Sequence, residues 1–162
     1  MALPIQDTTS TSADESFQAY EVNFSGPTLE KHFLFDAGFG HDTILSNTAL
    51  YVSKFYSAGQ VYSDPYVIRF GAGITAADVS LAPQTAVYMT DASVSPGTVG
   101  SYLPSGWARS WTLTVGRTGD SITVRDLYAS VDDSQAGYNA AGLNGAPRNL
   151  LRIEFADGTV WT

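Results

Sequence analysis

Ala37-Gly38-Phe39-Gly40-His41-Asp42-Thr43-Ile44-Leu45 is the stretch on which the reading of this chain turns. Its pattern is small-Gly-x-Gly-x-Asp-x-apolar-x. The first half reads as a tight turn and the second as a short strand. Gly38 and Gly40 can take positive φ, which a residue with a Cβ resists. A bend of this kind points carbonyl oxygens inward, including those near Asp36, Gly38 and Gly40, and Asp42 adds a carboxylate to the same hollow. On the two-residue period of a strand, Thr43 faces out and Ile44 faces in. Hard oxygen ligands on a flexible backbone suit Ca²⁺. The plain alternative is a Gly-rich hairpin turn before a strand.

Working outward, the flanking chain reads as β. Tyr20, Val22 and Phe24 alternate with polar residues, and Gly26-Pro27 stops that strand. Residues 32–35 form another strand, leading into the turn. Residues 66–70, 111–115, 121–124 and 150–155 read as strands, and Val160-Trp161 ends the chain. Gly-Asp pairs at Gly119-Asp120 and Asp157-Gly158 mark further turns. Residues 71–76 spell GxGxxA after a strand, but Pro83 cuts the following helix short and no βαβ pattern appears. A glycine turn is expected there, followed by one helical turn with Thr75 as its cap and Asp78 in it. Residues 51–65, 82–110 and 129–148 read as long loops, and 1–16 as a Ser/Thr-rich arm, flexible or ordered by a partner. The class is all-β: a roll or solenoid, or else an irregular sandwich, of short strands with Gly/Asp turns.

The 162 residues can bury a real core, and 44% of them are hydrophobic. Eight Lys and Arg stand against sixteen Asp and Glu, a net charge of −8. That balance disfavours nucleic acid and anionic membranes. It suits a cation-binding or simply soluble extracellular protein, and bound Ca²⁺ would relieve the self-repulsion. There are no cysteines, hence no disulfides and no thiolate metal site. The opening residues carry neither the basic region nor the apolar core of a Sec signal peptide. No run approaches a membrane span.

The nonapeptide resembles the RTX, or haemolysin-type calcium-binding, repeat, with Ala37 where the first glycine is usual. Four segments together resemble the C-terminal portion of RTX proteins, including the haemolysin-type calcium-binding-protein-related domain. They are HFLFDAGFGHDTI (32–44), YVIRFGAGITAADVSL (66–81), WTLTVGRTGDSITVRDLY (111–128) and LLRIEFADGTVW (150–161). GDSITV and FADGTVW are the most specific. The resemblance implies one RTX-related β domain over 17–162, with Ca²⁺ bound between successive turns. Asp42 would be the side-chain ligand, beside carbonyls of the turn, and Asp120 and Asp157 would be weaker candidates. The pattern departs from the family where a long upstream array of repeats is expected, in its long loops, and in having no extended type I secretion signal beyond Thr162. An excised domain and a small stand-alone relative both fit.

Signs of catalysis are few. The histidines are His32 and His41, and there is no HExxH, no GxSxG elbow and no P-loop. Asp14-Glu15 and Asp132-Asp133 are neighbouring carboxylates in loops, read as solvated charge, with Asp132-Asp133 a possible second cation site. No enzyme is expected. Trp107, Tyr102 and Trp111 are aromatic candidates for a glycan platform or for caps on an open β core. The expected role is a non-enzymatic, calcium-stabilised structural module of a secreted bacterial surface protein. The alternatives are a self-assembling subunit of a fibre, layer or adhesin, paired with copies of itself or an adjacent RTX domain, and a module that binds surface glycan.

Overall fold

Alternating apolar positions over short runs produce strands almost throughout. The structure is a computed structural model that describes residues 2–23, 28–46, 60–82, 86–89, 106–128 and 150–162. The described strands are β1 (Ile5–Thr9), β2 (Ser16–Asn23), β3 (Glu30–Phe35), β4 (His41–Ser46), β5 (Gln60–Ser63), β6 (Tyr66–Phe70), β7 (Val79–Ala82), β8 (Ala86–Met89), β9 (Gly106–Val115), β10 (Ser121–Tyr128), β11 (Leu150–Glu154) and β12 (Val160–Trp161). Among the described residues the helical part is one 3₁₀ turn, Ala76–Asp78. Thr75 stands at its N-cap position, and Asp78 Oδ2 accepts from Thr75 N and Oγ1 at 2.9 and 2.8 Å, so the Asp78 carboxylate and not the Thr75 hydroxyl is the acceptor. The all-β expectation holds.

The strands form two sheets, in the orders β1-β3-β6-β11-β12 and β5-β2-β4-β10-β9-β7, with β8 beside β9. β1, β3, β6 and β11 pair in parallel along the first sheet. β2, β4 and β10 pair in parallel along the second. The chain therefore crosses from the first sheet to the second twice in the same sense, from β1 to β2 and from β3 to β4. The third crossing, β6 to β7, lands further along, because the antiparallel β9–β10 pair lies between β4 and β7.

One apolar core joins the two sheets. Phe33, Phe35, Ile68, Phe70 and Ile153 from the first meet Ile44, Trp111, Leu113, Val115, Ile122 and Val124 from the second. The parallel pairing of β3 and β6 sets Phe33 beside Ile68. Phe35 pairs with Phe70 in the ladder. Their ring centroids lie 6.2 Å apart, and Phe70 stacks on Phe155 at 5.4 Å. Phe17 of β2 reaches across to Phe33 and Phe35 at 5.4 and 5.9 Å.

The stretch read as an arm is described from residue 2 onward. Residues 5–9 of this segment form β1, ordered by β3 of the same chain. The polar run Ile5-Gln6-Asp7-Thr8-Thr9 lacks apolar alternation, and its strand state comes from the ladder that β3 offers. Strands β8 and β9 also extend into the stretch read as loop, 82–110. The stop at Gly26-Pro27, Tyr102 and Asp132-Asp133 lie outside the described residues.

Candidate functional site

Three of the described turns, 10–15, 36–42 and 116–121, lie next to one another. Gly38 and Gly40 sit at φ 87° and 86°, and Gly119 at 81°. An L side chain at such angles costs roughly 1–2 kcal/mol, so the glycines are what let the turns close. The parallel pairing of β4 and β10 sets Ser121 beside His41 and Ile122 beside Asp42. That register places Asp120 opposite the 36–40 turn.

Asp120 occupies that turn. Its Oδ2 accepts from Gly38 N at 2.8 Å and its Oδ1 from Gly40 N at 3.2 Å. Thr118 Oγ1 donates to Oδ2 at 2.6 Å. Gly40 O accepts from Ser121 N at 2.9 Å. The two glycines thus present N–H groups to the acid. Burial pushes the Asp120 carboxyl up, but the bonds from Thr118, Gly38 and Gly40, with His41 adding, outweigh it and hold the carboxyl below its usual range.

Asp42 faces the other neighbour, the 10–15 turn. It is buried, at 1% exposure, between β2 and β10. Its Oδ1 accepts from Glu15 N at 2.8 Å and its Oδ2 from Ser10 Oγ at 2.5 Å. Glu15 folds back to accept from Thr11 N at 2.7 Å, and its Oε2 lies 3.1 Å from Ser10 Oγ, whose one hydrogen points to the closer Asp42 oxygen. Asp14 Oδ1 accepts from His41 N at 3.0 Å. Burial raises the Asp42 carboxyl above its usual range; the Ser10 and Glu15 bonds pull it back, and the nearby Glu15 and Asp14 carboxylates push it up again. The Thr11 N–H is the main cause holding Glu15 low.

The sequence candidates are thus partly gathered. Gly38, Gly40, Asp42 and Asp120 share one column of turns, whereas Asp157 stands apart. Asp157 closes its own exposed turn, accepting from Thr159 N at 2.8 Å. Asp36 is exposed and lies against Gly71, where a Cβ would fall 1.8 Å from Asp36 Oδ1. Asp36 also lines an open hollow of about 340 Å³ with Arg69 and Glu154. Trp111 is 1% exposed in the core, so its ring offers no face to a sugar, which corrects that expectation. Trp107 lies on β9. Sequence reasoning missed Ser10 and took Asp14-Glu15 for solvated charge. The signal lay in the spacing Thr11-x-x-x-Glu15, which ties a local loop.

Among the described residues, no group of three or more His, Cys, Asp or Glu side chains is disposed to hold a metal ion. Ca²⁺ takes six to eight oxygens at about 2.3–2.6 Å. Here the acid oxygens face N–H and O–H donors, whose positive ends point where an ion would sit. The turn column as it stands does not fit a calcium cage.

Residues 112–162 match the family described as haemolysin-type calcium binding protein related domain. The kinship read from GDSITV and FADGTVW is therefore shown for the C-terminal part of the chain, and that description points to calcium binding. The segments 32–44 and 66–81 lie outside the match. No curated protein and no solved structure matches the chain. No helix among the described residues is long and apolar enough to cross a membrane.

Proposed function

We propose that the chain is a non-enzymatic structural module of a secreted bacterial surface protein, a short roll whose folded form is further stabilised by extracellular Ca²⁺. The observation that carries the structural-module part of this reading is the repeated parallel crossing between two sheets. The family match over 112–162 supports calcium as the ligand, and a net charge of −8 favours cation uptake. A site with affinity of about 10⁻⁴–10⁻³ M, at about 1 mM Ca²⁺, adds about 0.4–1.4 kcal/mol. Calcium in this reading supplements a fold that the core already makes. Calorimetric titration with CaCl₂, with elemental analysis of the dialysed protein, tests it. Saturable binding in that range is expected, and a titration without saturable heat removes calcium from the reading.

A second reading, assembly with copies of itself, is favoured by β1. Among the described residues this strand ends its sheet, and Ile5 on it is 60% exposed. Open edges recruit strands. Light scattering of the native chain and of Ile5→Lys checks it: a native oligomer that the charge dissociates is expected, and a native monomer refutes it.

A further inference from the structure

We infer that the turn column formed by residues 10–15, 36–42 and 116–121 closes without a cation, with the N-terminal turn standing where an ion would be needed and Asp42 acting as its latch. The inference rests on the structural-module reading, and it departs from what the nonapeptide leads one to expect of Asp42.

Three observations carry it. Both Asp42 oxygens are engaged by donors of the 10–15 turn, Ser10 Oγ at 2.5 Å and Glu15 N at 2.8 Å. Both Asp120 oxygens are engaged by the 36–40 turn, through Gly38 N and Gly40 N. Asp14 supplies a further acid-to-amide tie, to His41 N. Each acid thus binds the backbone of an adjacent turn, which is the task an interposed ion would perform. Two backbone bonds complete the column, Thr43 N to Glu15 O at 2.8 Å and Ser121 N to Gly40 O at 2.9 Å. An ion entering at Asp42 would have to displace a serine hydroxyl and a backbone N–H from a carboxylate that water barely reaches. The half-buried Glu15 N–H would then lose its acceptor, at a cost that cation binding must first overcome.

The test compares the native chain, Ser10→Ala and Asp42→Asn in EGTA and in about 1 mM CaCl₂. Thermal melting and amide exchange of Glu15, Gly38, Gly40 and His41 are the readouts. The native chain is expected to melt cooperatively in EGTA with those four amides protected. Ser10→Ala is expected to lower Tm by about 3 °C, equally with and without Ca²⁺. Any rise in Tm that Ca²⁺ brings is expected to be the same in all three proteins. A native chain that is unfolded in EGTA, or whose four amides exchange freely there, overturns the inference. So does a calcium-induced rise that native protein shows and Asp42→Asn lacks, while calcium binding itself then stands. If Ca²⁺ moves none of the three, the latch is upheld and the calcium reading falls. Should Asp42→Asn fail to fold, Ser10→Ala and the native amide exchange decide alone.

Discussion

The Asp120 carboxylate and the Gly38 N–H, 82 residues apart in the chain, meet at 2.8 Å. With Gly40 N on the other oxygen, this acid ties the 36–40 turn to the β9–β10 turn. An amide cannot replace it, because one glycine N–H would then face an NH₂ group. Asp42 differs. Its partners are one N–H and one hydroxyl, and the Ser10 hydroxyl can rotate to accept from an amide. Asp120→Asn is therefore expected to cost about 2–3 kcal/mol and Asp42→Asn about 1 kcal/mol at neutral pH. Urea denaturation of the two variants checks the order.

The same two acids respond to pH with opposite sign. The Asp120 carboxyl is held below its unfolded value, so its stabilisation is present above about pH 4 and is lost as pH falls through its lower folded value. The Asp42 carboxyl lies above its unfolded value, so its contribution is full below about pH 4 and is lost as pH rises through its higher folded value. Acidification from neutral toward about pH 4 should thus raise Tm less in Asp42→Asn than in the native chain. Below that, the fall in Tm should be shallower in Asp120→Asn. Melting curves across this range give both slopes.

Phe70 holds the middle of the aromatic stack, between Phe35 and Phe155, and is buried. Removing the ring leaves a cavity that three rungs share. Phe70→Ala is expected to cost about 3–5 kcal/mol, a large part of a domain's usual 5–15 kcal/mol. Phe70→Leu keeps most of the volume and should cost under about 1.5 kcal/mol. Denaturant midpoints measure both.

What could be read from the sequence were the local features. Gly38, Gly40, Gly119 and Gly158 all take positive φ at expected turns. Ile44 and Ile122 point inward as the two-residue period requires. Long-range pairing was not legible. Nothing local says that β10 joins β4, since the register is fixed only when both strands bury their apolar faces in one core. That pairing decides which donors Asp42 and Asp120 meet, so the acids could be picked out from the nonapeptide and its relatives while their partners could not. β1 was missed for a related reason: its five residues carry little apolar signal, and the ladder of β3 makes them a strand.

Lys31 and Arg69 form ion pairs on neighbouring strands, with different consequences. Lys31 alternates inward with Phe33 and Phe35, and its Nζ lies 2.9 Å from Asp64 Oδ2 and 2.9 Å from Gln18 O. Asp64 has no solvent exposure. Arg69 lies on the outer face, 2.8 Å from Glu154, with its side chain 43% exposed. Removing the buried cation leaves a carboxylate that water cannot reach, whereas removing the outer one leaves Glu154 beside solvent and Arg152, 2.6 Å away. Lys31→Met is therefore expected to cost about 3–5 kcal/mol and Arg69→Ala about 0.2–1 kcal/mol. Raising NaCl toward about 1 M shortens the screening length to about 3 Å. It should erase the smaller loss and leave the larger in place, because salt does not penetrate to Asp64. Urea melts of both variants at low and high salt give the comparison, and equal losses for the two would show that Asp64 is reached by water after all.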